Sequence, residues 1–264
     1  MAKRIVTKIG NIFGAEIDSE YKVYFQYIAN DMSQLNSPVI RVFKRRYPLD
    51  ANPKMDDIVK DEIMFYVHVV VAWGIEDGAW YKVGRSNELG LDQLSKVWFG
   101  SVPDSIFNLE KMRSIPCNPE ETLYVWHVNG ERIRVEKSLL NQYKNVEPGS
   151  VIPYNWIILR IKLGYDPGCD NVYYHAKRVP WDDVNSYTKW EDTESDDVAY
   201  FHFLGKNLVS ELIVTPTGKI YLDKEHPQCD GYEFLDIEFG DINWKYNQFI
   251  TAEEFNEVWG DHKW

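Results

Sequence analysis

The residues best suited to chemistry are the cysteines and histidines in the last third of the chain. Cys169 and His175 precede His226 and Cys229, and two thiolates with two imidazoles are a donor set for tetrahedral zinc. The first pair, however, is six residues apart across a predicted strand, and the second pair supplies only half of a zinc motif. We therefore expect ordinary loop and strand-end residues here, with no metal and no cofactor.

The other histidines could act as a general acid or base, because imidazole titrates near neutral pH. His68 interrupts an apolar run between Val67 and Val69, which is more typical of a hydrogen-bonded core or edge histidine. His127 and His202 stand beside aromatic residues in predicted strands, and the chain has no Gly-x-Ser-x-Gly segment to supply a nucleophile. The sequence predicts no catalytic residue and no enzymatic activity.

Adjacent carboxylates recur along the chain, for example at Asp182-Asp183 and Asp196-Asp197. Neighbouring side chains on a strand point to opposite faces, so such a pair cannot converge on one substrate atom as glycosidase carboxylates do. The interpretations left are solvated acid on loops and a surface that docks a basic protein. Aromatic anchors within polar surroundings are typical of protein interfaces. The partner-binding set predicted on this basis is Trp181, Asp182, Asp183, Trp190, Glu191, Asp192, Glu194, Asp196 and Asp197.

Charge is distributed unevenly along the chain, whose formal total is −12. Residues 1–48 carry eight Lys or Arg against four acids, whereas residues 180–264 carry six Lys against nineteen acids. A negative surface repels nucleic-acid phosphate and anionic lipid, and it attracts a basic partner through a fast, salt-sensitive encounter. The simpler interpretation is that the charge only maintains solubility. In either case the sequence predicts no direct binding to nucleic acid or to a membrane.

The composition is that of a folded protein, with 44% hydrophobic and 15% aromatic residues. The start of the chain lacks the apolar stretch of a secretory signal, and no run approaches the ~18 apolar residues of a membrane span. The three cysteines, Cys117, Cys169 and Cys229, are odd in number and widely spaced, which is typical of reduced thiols. We expect a cytoplasmic protein.

Strands dominate the predicted secondary structure of the first 165 residues. Three of them lie at residues 9–17, 22–29 and 39–43, and residues 64–72 and 79–83 are expected to pair as a hairpin. Asn129-Gly130 is the dipeptide that most readily turns a tight hairpin, and it joins strands at 123–128 and 133–135. Residues 151–163 are predicted to form another strand.

The turn Asp166-Pro167-Gly168 divides the chain into a β-rich domain, residues 1–165, and an acidic β-rich region, residues 166–264, which fold separately or pack as one unit. The second part is expected to hold a polar loop at 181–197 and strands at 172–179, 199–204, 211–214, 219–222 and 232–239. Thr251 and Glu254 predict a capping box at the start of a helix. The predicted fold class is α+β, predominantly antiparallel β, with a strongly bent sheet or partial barrel and a few short helices.

The residues of the first three strands resemble the immunity protein 26 family of bacterial polymorphic toxin systems. In that family a Lys-x-Gly-Asp-x-Phe opening leads into a strand, and here Asn11 replaces the aspartate. The likeness extends to about Gly164 and covers roughly the N-terminal 165 residues. It rests on Lys8-Ile9-Gly10-Asn11-Ile12-Phe13, Tyr24-Phe25-Gln26-Tyr27-Ile28-Ala29-Asn30-Asp31, Val39-Ile40-Arg41-Val42-Phe43, Trp80-Tyr81-Lys82-Val83-Gly84 and the Asn129-Gly130 turn.

The resemblance implies an immunity protein that neutralises a cognate toxin by stoichiometric binding, without chemistry of its own. In such systems the toxin domain is often a nuclease, which needs a basic surface to hold phosphate, and an acidic inhibitor complements that surface. One alternative is a small-molecule enzyme with His68, His127 or His175 as an acid or base in a β-rich pocket. A second alternative is a generic protein-binding adaptor.

Overall fold

The computed structural model describes residues 5–102, 105–108, 112–116, 123–143, 146–167, 184–191 and 195–264. The chain divides into two compact units, Met1–Ile158 (unit 1) and Leu159–Trp264 (unit 2). This division falls inside a helix, whereas the sequence analysis placed a boundary at the turn after residue 165. Each unit is described by itself below.

Unit 1 is built from short strands and a few helical turns. Its strands are β1 Asn11–Ile17, β2 Tyr21–Asp31, β3 Ser37–Phe43, β4 Tyr47–Pro48, β5 Ile63–His68, β6 Tyr81–Arg85, β7 Phe99–Ser101, β8 Ser105–Asn108, β9 Arg113–Pro116, β10 Tyr124–Trp126, β11 Ile133–Arg134 and β12 Glu147–Pro148. Its helices are α1 Met55–Ile58, α2 Val71–Glu76 and α3 Leu91–Leu94, with a 3₁₀ segment at Lys137–Tyr143. Helix α4, Tyr154–Leu163, contains the division between the units.

Unit 2 has an antiparallel sheet and one well-formed helix. Its strands are β13 Asn185–Glu191, β14 Val198–Leu204, β15 Asn207–Thr215, β16 Gly218–Asp223, β17 Gln228–Cys229 and β18 Tyr232–Glu233. Two 3₁₀ turns follow at Phe239–Asp241 and Tyr246–Gln248, and α5 covers Ala252–Trp259. The fold class is thus α+β with mostly antiparallel pairing, as predicted, and within the described residues the sheets stay open rather than closing into a barrel.

The main sheet of unit 1 has the order β5-β3-β2-β1-β6, with β4 paired to β2, and every pairing is antiparallel. Strand β2 is buried along most of its length, so the sheet is covered on both faces. On one face the rings of Phe13 and Phe25 stack at 5.2 Å, and Trp80 meets Phe25 edge-on. Helix α2 can approach Trp80 because Gly74 has no Cβ, which would lie 2.3 Å from the indole ring.

The opposite face carries two apolar clusters. The first is built around Ile12, Tyr24 and Phe43, and the second joins Val39 and Tyr66 to residues of a smaller sheet of order β11-β10-β7-β12. Burial of these large side chains supplies the main driving force for folding, at roughly 25 cal/mol per Å² of apolar surface removed from water. Polar groups on this face must therefore be hydrogen-bonded inside the protein.

Asp31, at the end of β2, is the most highly connected of these polar groups. Its Oδ2 accepts hydrogen bonds from His68 Nε2 and Trp126 Nε1, both at 3.1 Å. Its Oδ1 accepts from the backbone N–H groups of Ser33 and Gln34 at 3.2 and 3.1 Å and from the Ser33 hydroxyl at 3.1 Å. One carboxylate, with no exposed surface, thus ties the end of β2 to β5 and β10.

The protonation states of this cluster follow from its burial. Desolvation alone would raise the pKa of Asp31, but the hydrogen bonds from Gln34, Ser33 and Trp126 and the neighbouring His68 lower it overall. Burial lowers the pKa of His68, against the opposing effect of Asp31. Both shifts have one consequence: the unfolded chain binds more protons than the folded chain in acid, so this part of the stability is present near neutral pH and lost as the pH falls.

Several sequence predictions are confirmed. Strands β1, β2 and β3 lie where they were expected, Asn129 takes a positive φ of 61° in the turn between β10 and β11, and α5 begins with the Thr251 and Glu254 capping box. His68 is the hydrogen-bonded core histidine that its apolar surroundings indicated.

Other predictions are wrong for physical reasons. Residues 151–163 were expected to form a strand, but 154–163 form α4; its most buried residues alternate at 157, 159, 161 and 163, which imitates the period of a strand. Residues 64–72 split into β5 and the start of α2, and β6 pairs with β1 instead of closing a hairpin with β5. The strand expected at 232–239 is limited to Tyr232–Glu233, and the strand expected at 172–179 lies outside the described residues.

Replacement of Asp31 by Asn is expected to lower the free energy of unfolding by about 3–5 kcal/mol, the cost of removing one member of a buried charged network. An amide nitrogen would face the donors of His68 or Trp126 without accepting a hydrogen bond. Urea denaturation at pH 7 measures the loss, and Asp57→Asn, which removes an exposed carboxylate of the same unit, is the control. A loss below about 1 kcal/mol, typical of a surface substitution, would contradict this role for Asp31.

Candidate functional site

The predicted partner-binding residues lie around the turn between β13 and β14. Four of them are described: Trp190 and Glu191 end β13, and Asp196 and Asp197 precede β14. The prediction of a loop across 181–197 is therefore wrong for residues 185–191, which form a paired strand. The remaining predicted residues, Trp181, Asp182, Asp183, Asp192 and Glu194, lie outside the described residues.

A second hairpin lies against this turn. The Tyr232 hydroxyl of β18 donates a 2.9 Å hydrogen bond to Asp197 Oδ2. This hydrogen bond, followed by desolvation and the Asp197 charge, raises the pKa of the Tyr232 hydroxyl. The Tyr232 ring also packs with Ala199, which is the cross-strand partner of Trp190. The sequence analysis missed Tyr232 because it lies 35 residues from Asp197 and was placed in a long strand.

We call Trp190, Glu191, Asp196, Asp197, Tyr232 and Glu233 the acidic edge. Trp190 is 47% exposed, a large value for so apolar a side chain, and Glu191, Asp196 and Glu233 are exposed. Glu191 forms a 3.3 Å ion pair with Lys189, whereas the other three carboxylates form no ion pair with a described Lys or Arg. The surface therefore presents negative charge around an accessible indole.

The charge of the whole protein is concentrated in the same unit. Residues 159–264 contain ten Lys or Arg against twenty-one Asp or Glu, a formal charge of −11, whereas residues 1–158 contain nineteen against twenty, a formal charge of −1. The second value is small because the acids of unit 1 are balanced by nearby bases, as in the pairs Lys44–Glu62 and Arg45–Asp61. Electrostatic attraction of a cation is accordingly a property of unit 2.

Glu211 lies beneath this surface and was not singled out from the sequence. It is 2% exposed, on the face of β15 that also carries Ile213, and its Oε2 accepts a hydrogen bond from the backbone N–H of Leu235 at 3.2 Å. This contact fixes the chain that leaves the β17–β18 hairpin. Burial raises the pKa of Glu211 to about 7, and the Leu235 hydrogen bond only partly opposes that shift. An isolated acid in a strand gives no sequence signal of this kind.

The other tryptophans of unit 2 have different environments. Trp244 is buried against Phe203 and Phe239 and donates its indole N–H to the Phe239 carbonyl at 3.0 Å. Trp259 is half-buried beside Tyr221. Trp190 is thus the tryptophan of β13 to α5 that combines exposure with flanking acids.

The histidines considered for catalysis are engaged in other contacts or lie outside the described residues. His68 has no exposed surface, and His127 stacks on Trp98 at 3.6 Å with its Nδ1 2.7 Å from the Val97 carbonyl. His202 Nε2 lies 2.7 Å from Asn185 Oδ1, and His175 is not among the described residues.

The zinc candidates are separated in the same way. His226 stacks on Trp264 and contacts Asp223, and Cys229 is an exposed thiol, while Cys169 and His175 lie outside the described ranges. Within those ranges no three His, Cys, Asp or Glu side chains are grouped as a metal site requires. None of the helices described here has the length and apolar character needed to cross a bilayer.

Comparison of the chain with known protein families, with curated proteins and with solved structures found no match.

Glu211 gives a pH-dependent prediction. Between its ordinary pKa of 4.5 and its folded value of about 7, the folded state binds a proton that the unfolded state has released, so stability falls as the pH rises through this interval. The gap corresponds to roughly 3 kcal/mol. Glu211→Gln should therefore gain up to about that amount relative to the unsubstituted protein between pH 5 and pH 8 in urea denaturation. The exposed Glu225→Gln is the control, and parallel pH profiles for Glu211→Gln and the unsubstituted protein would contradict the assignment.

Proposed function

We propose that the protein is an immunity protein, which binds a cationic toxin domain in the bacterial cytoplasm and blocks it by occupying its surface in a stoichiometric complex. The resemblance of the first 165 residues to the immunity protein 26 family supports the class of function. The concentration of a −11 formal charge in unit 2, with an exposed tryptophan at the acidic edge, supports the kind of partner. That concentration is the observation on which the proposal rests.

The acidic edge has the two components that a protein interface of this kind needs. Carboxylates without ion pairs raise the rate of encounter with a basic partner, because long-range attraction steers diffusion. An exposed indole supplies an anchor, because tryptophan buries a large area with few rotatable bonds and is enriched among residues that dominate binding energy. Tyr232 is held in place by Asp197, so the surface loses little conformational freedom on binding.

A nuclease is the toxin class that this surface fits best. Such an enzyme holds phosphate with lysine and arginine, and an inhibitor that presents carboxylates competes for the same groups. The inhibitor needs no catalytic residue, metal or cofactor for this action. Nucleic acid and anionic lipid are poor partners for unit 2, since both carry the same sign of charge.

The first prediction concerns the rate of association with the toxin domain encoded beside this gene. The rate constant, measured by stopped-flow fluorescence, should fall steeply as NaCl is raised from low salt. Glu191→Gln/Asp196→Asn/Asp197→Asn should reduce it roughly tenfold at low salt. The control Glu253→Gln/Glu257→Gln/Asp261→Asn removes the same charge from exposed residues on or next to α5 and should have a smaller effect. Absence of a complex at low salt, or a rate independent of salt, would contradict the proposal.

The second prediction concerns the anchor. Trp190→Ala should weaken the complex at least tenfold, mainly through faster dissociation, because it removes the exposed ring that the partner would cover. Trp73→Ala is the matched control, since Trp73 is 56% exposed but belongs to unit 1. Equal affinities for the two variants in a calorimetric titration would exclude the acidic edge as the binding surface.

A further inference from the structure

Unit 1 contains a cavity of about 670 Å³ that has an arginine in its lining. Arg41 lies in the middle of β3 and is only 2% exposed. The cavity runs between the sheet and the segment that leads into α3, and it is of the size that holds a small molecule. Its lining residues include Arg41, Val59, Lys60, Glu88, Leu89 and Leu91.

The guanidinium of Arg41 has only neutral hydrogen-bond acceptors. Its Nε and Nη2 both donate to Gln26 Oε1, at 3.0 and 2.8 Å, and Nη2 also donates to the Glu88 carbonyl at 2.7 Å. No described carboxylate forms an ion pair with it, and Nη1 forms no hydrogen bond with the described residues. Burial lowers the pKa of Arg41, but a guanidinium stays charged in proteins. The result is a buried positive charge without a counter-ion.

The surrounding residues fix the guanidinium in this orientation. Gln26 has no exposed surface, and its Nε2 donates to the Ser86 carbonyl at 3.1 Å, so its Oε1 is directed at Arg41. Gly90, with a φ of +62°, allows the backbone to approach Arg41, because a Cβ there would lie 2.2 Å from Nη1. The Phe43 ring lies 5.1 Å from the guanidinium carbon. The group is therefore preorganised, which lowers the cost of binding a ligand.

The lining also sets the charge of the ligand. Asp61 is already paired, because it accepts from the Tyr47 hydroxyl and lies 3.7 Å from Arg45 Nη1. The cations Arg41 and Lys60 then balance the exposed acids Glu88 and Asp92. A monoanion satisfies the free side of Arg41, whereas a dianion would be repelled more strongly by the two acids.

We propose that this cavity binds a small monocarboxylate with an apolar body. The carboxylate accepts hydrogen bonds from Arg41 Nη1, and the apolar body lies against Val59, Leu89 and Leu91. Arginine is well suited to this role, because its planar array of donors matches a carboxylate. The site lies in unit 1 and does not depend on the function proposed for the acidic edge.

Benzoate and benzamide are the probes, because they share a ring and differ in charge. In ¹H–¹⁵N spectra of the full chain, benzoate is expected to shift the Arg41 Nε–H signal and the backbone amides of residues 87–93 saturably. Benzamide is expected to leave these signals unchanged, and inorganic phosphate to bind more weakly than benzoate. Equal responses to benzoate and benzamide, or tighter binding of phosphate, would overturn the proposal.

Glu88→Gln is the decisive variant, because Arg41→Gln would test folding as well as binding. Glu88 is exposed, and its negative charge interacts with Arg41, so it competes with a bound carboxylate. Its neutralisation should tighten benzoate binding roughly two- to fivefold, the effect of one screened charge pair. Glu76→Gln, an exposed acid of the same unit that does not line the cavity, should bind benzoate as the unsubstituted protein does. Unchanged affinity in Glu88→Gln would show that Arg41 does not receive the carboxylate.

Discussion

A charge that is removed from water must find its partners inside the protein, and unit 1 is organised around two such charges. The first, the carboxylate of Asp31, is surrounded by donors from three parts of the chain: the turn after β2, His68 on β5 and Trp126 on β10. Hydrophobic burial brings these elements together, but it does not specify their registers. The carboxylate does, because a one-residue slip of β5 would turn His68 to the other face of the sheet.

Unit 2 uses charge in the opposite way. Most of its acids are exposed, and the sheet is held by aromatic packing, as in the contacts of Trp244 with Phe203 and Phe239. Its buried acid, Glu211, avoids the cost of a buried charge by staying partly protonated near neutral pH. Exposed carboxylates contribute little to stability and repel one another at short range. Their concentration is therefore better explained by attraction to a partner than by folding.

Local signals in the sequence predicted the local structure well. Asn129-Gly130 and the Thr251 and Glu254 capping box are short patterns in which neighbouring residues determine the backbone, and both turned out as expected. Helix α4 was missed because its burial alternates like that of a strand, and the pairing of β6 with β1 was missed because it depends on contacts far apart in sequence. The fold class survived these errors because antiparallel pairing dominates either arrangement.

The candidate sites show the same limit. Clustered acids around Trp190 were visible in the sequence, whereas Tyr232, Glu211, Asp31 and Arg41 were not marked as site residues. Each of these acquires its role from a partner distant in sequence, such as Asp197 for Tyr232 or Trp126 for Asp31. A lone charged residue within a predicted strand carries no information about which groups will surround it.

The contrast between Asp31 and Arg41 separates a structural charge from a charge available for binding. Asp31 uses both oxygens, and every donor around it comes from the protein, so a ligand could add nothing there. Arg41 is equally buried, yet its partners are an amide oxygen and a backbone carbonyl, and one of its nitrogens has no acceptor. A guanidinium that served folding alone would be more stable with a carboxylate beside it, and Glu88, close enough to interact with it electrostatically, remains exposed instead. The free side of Arg41 is thus the place in unit 1 where an incoming anion gains most.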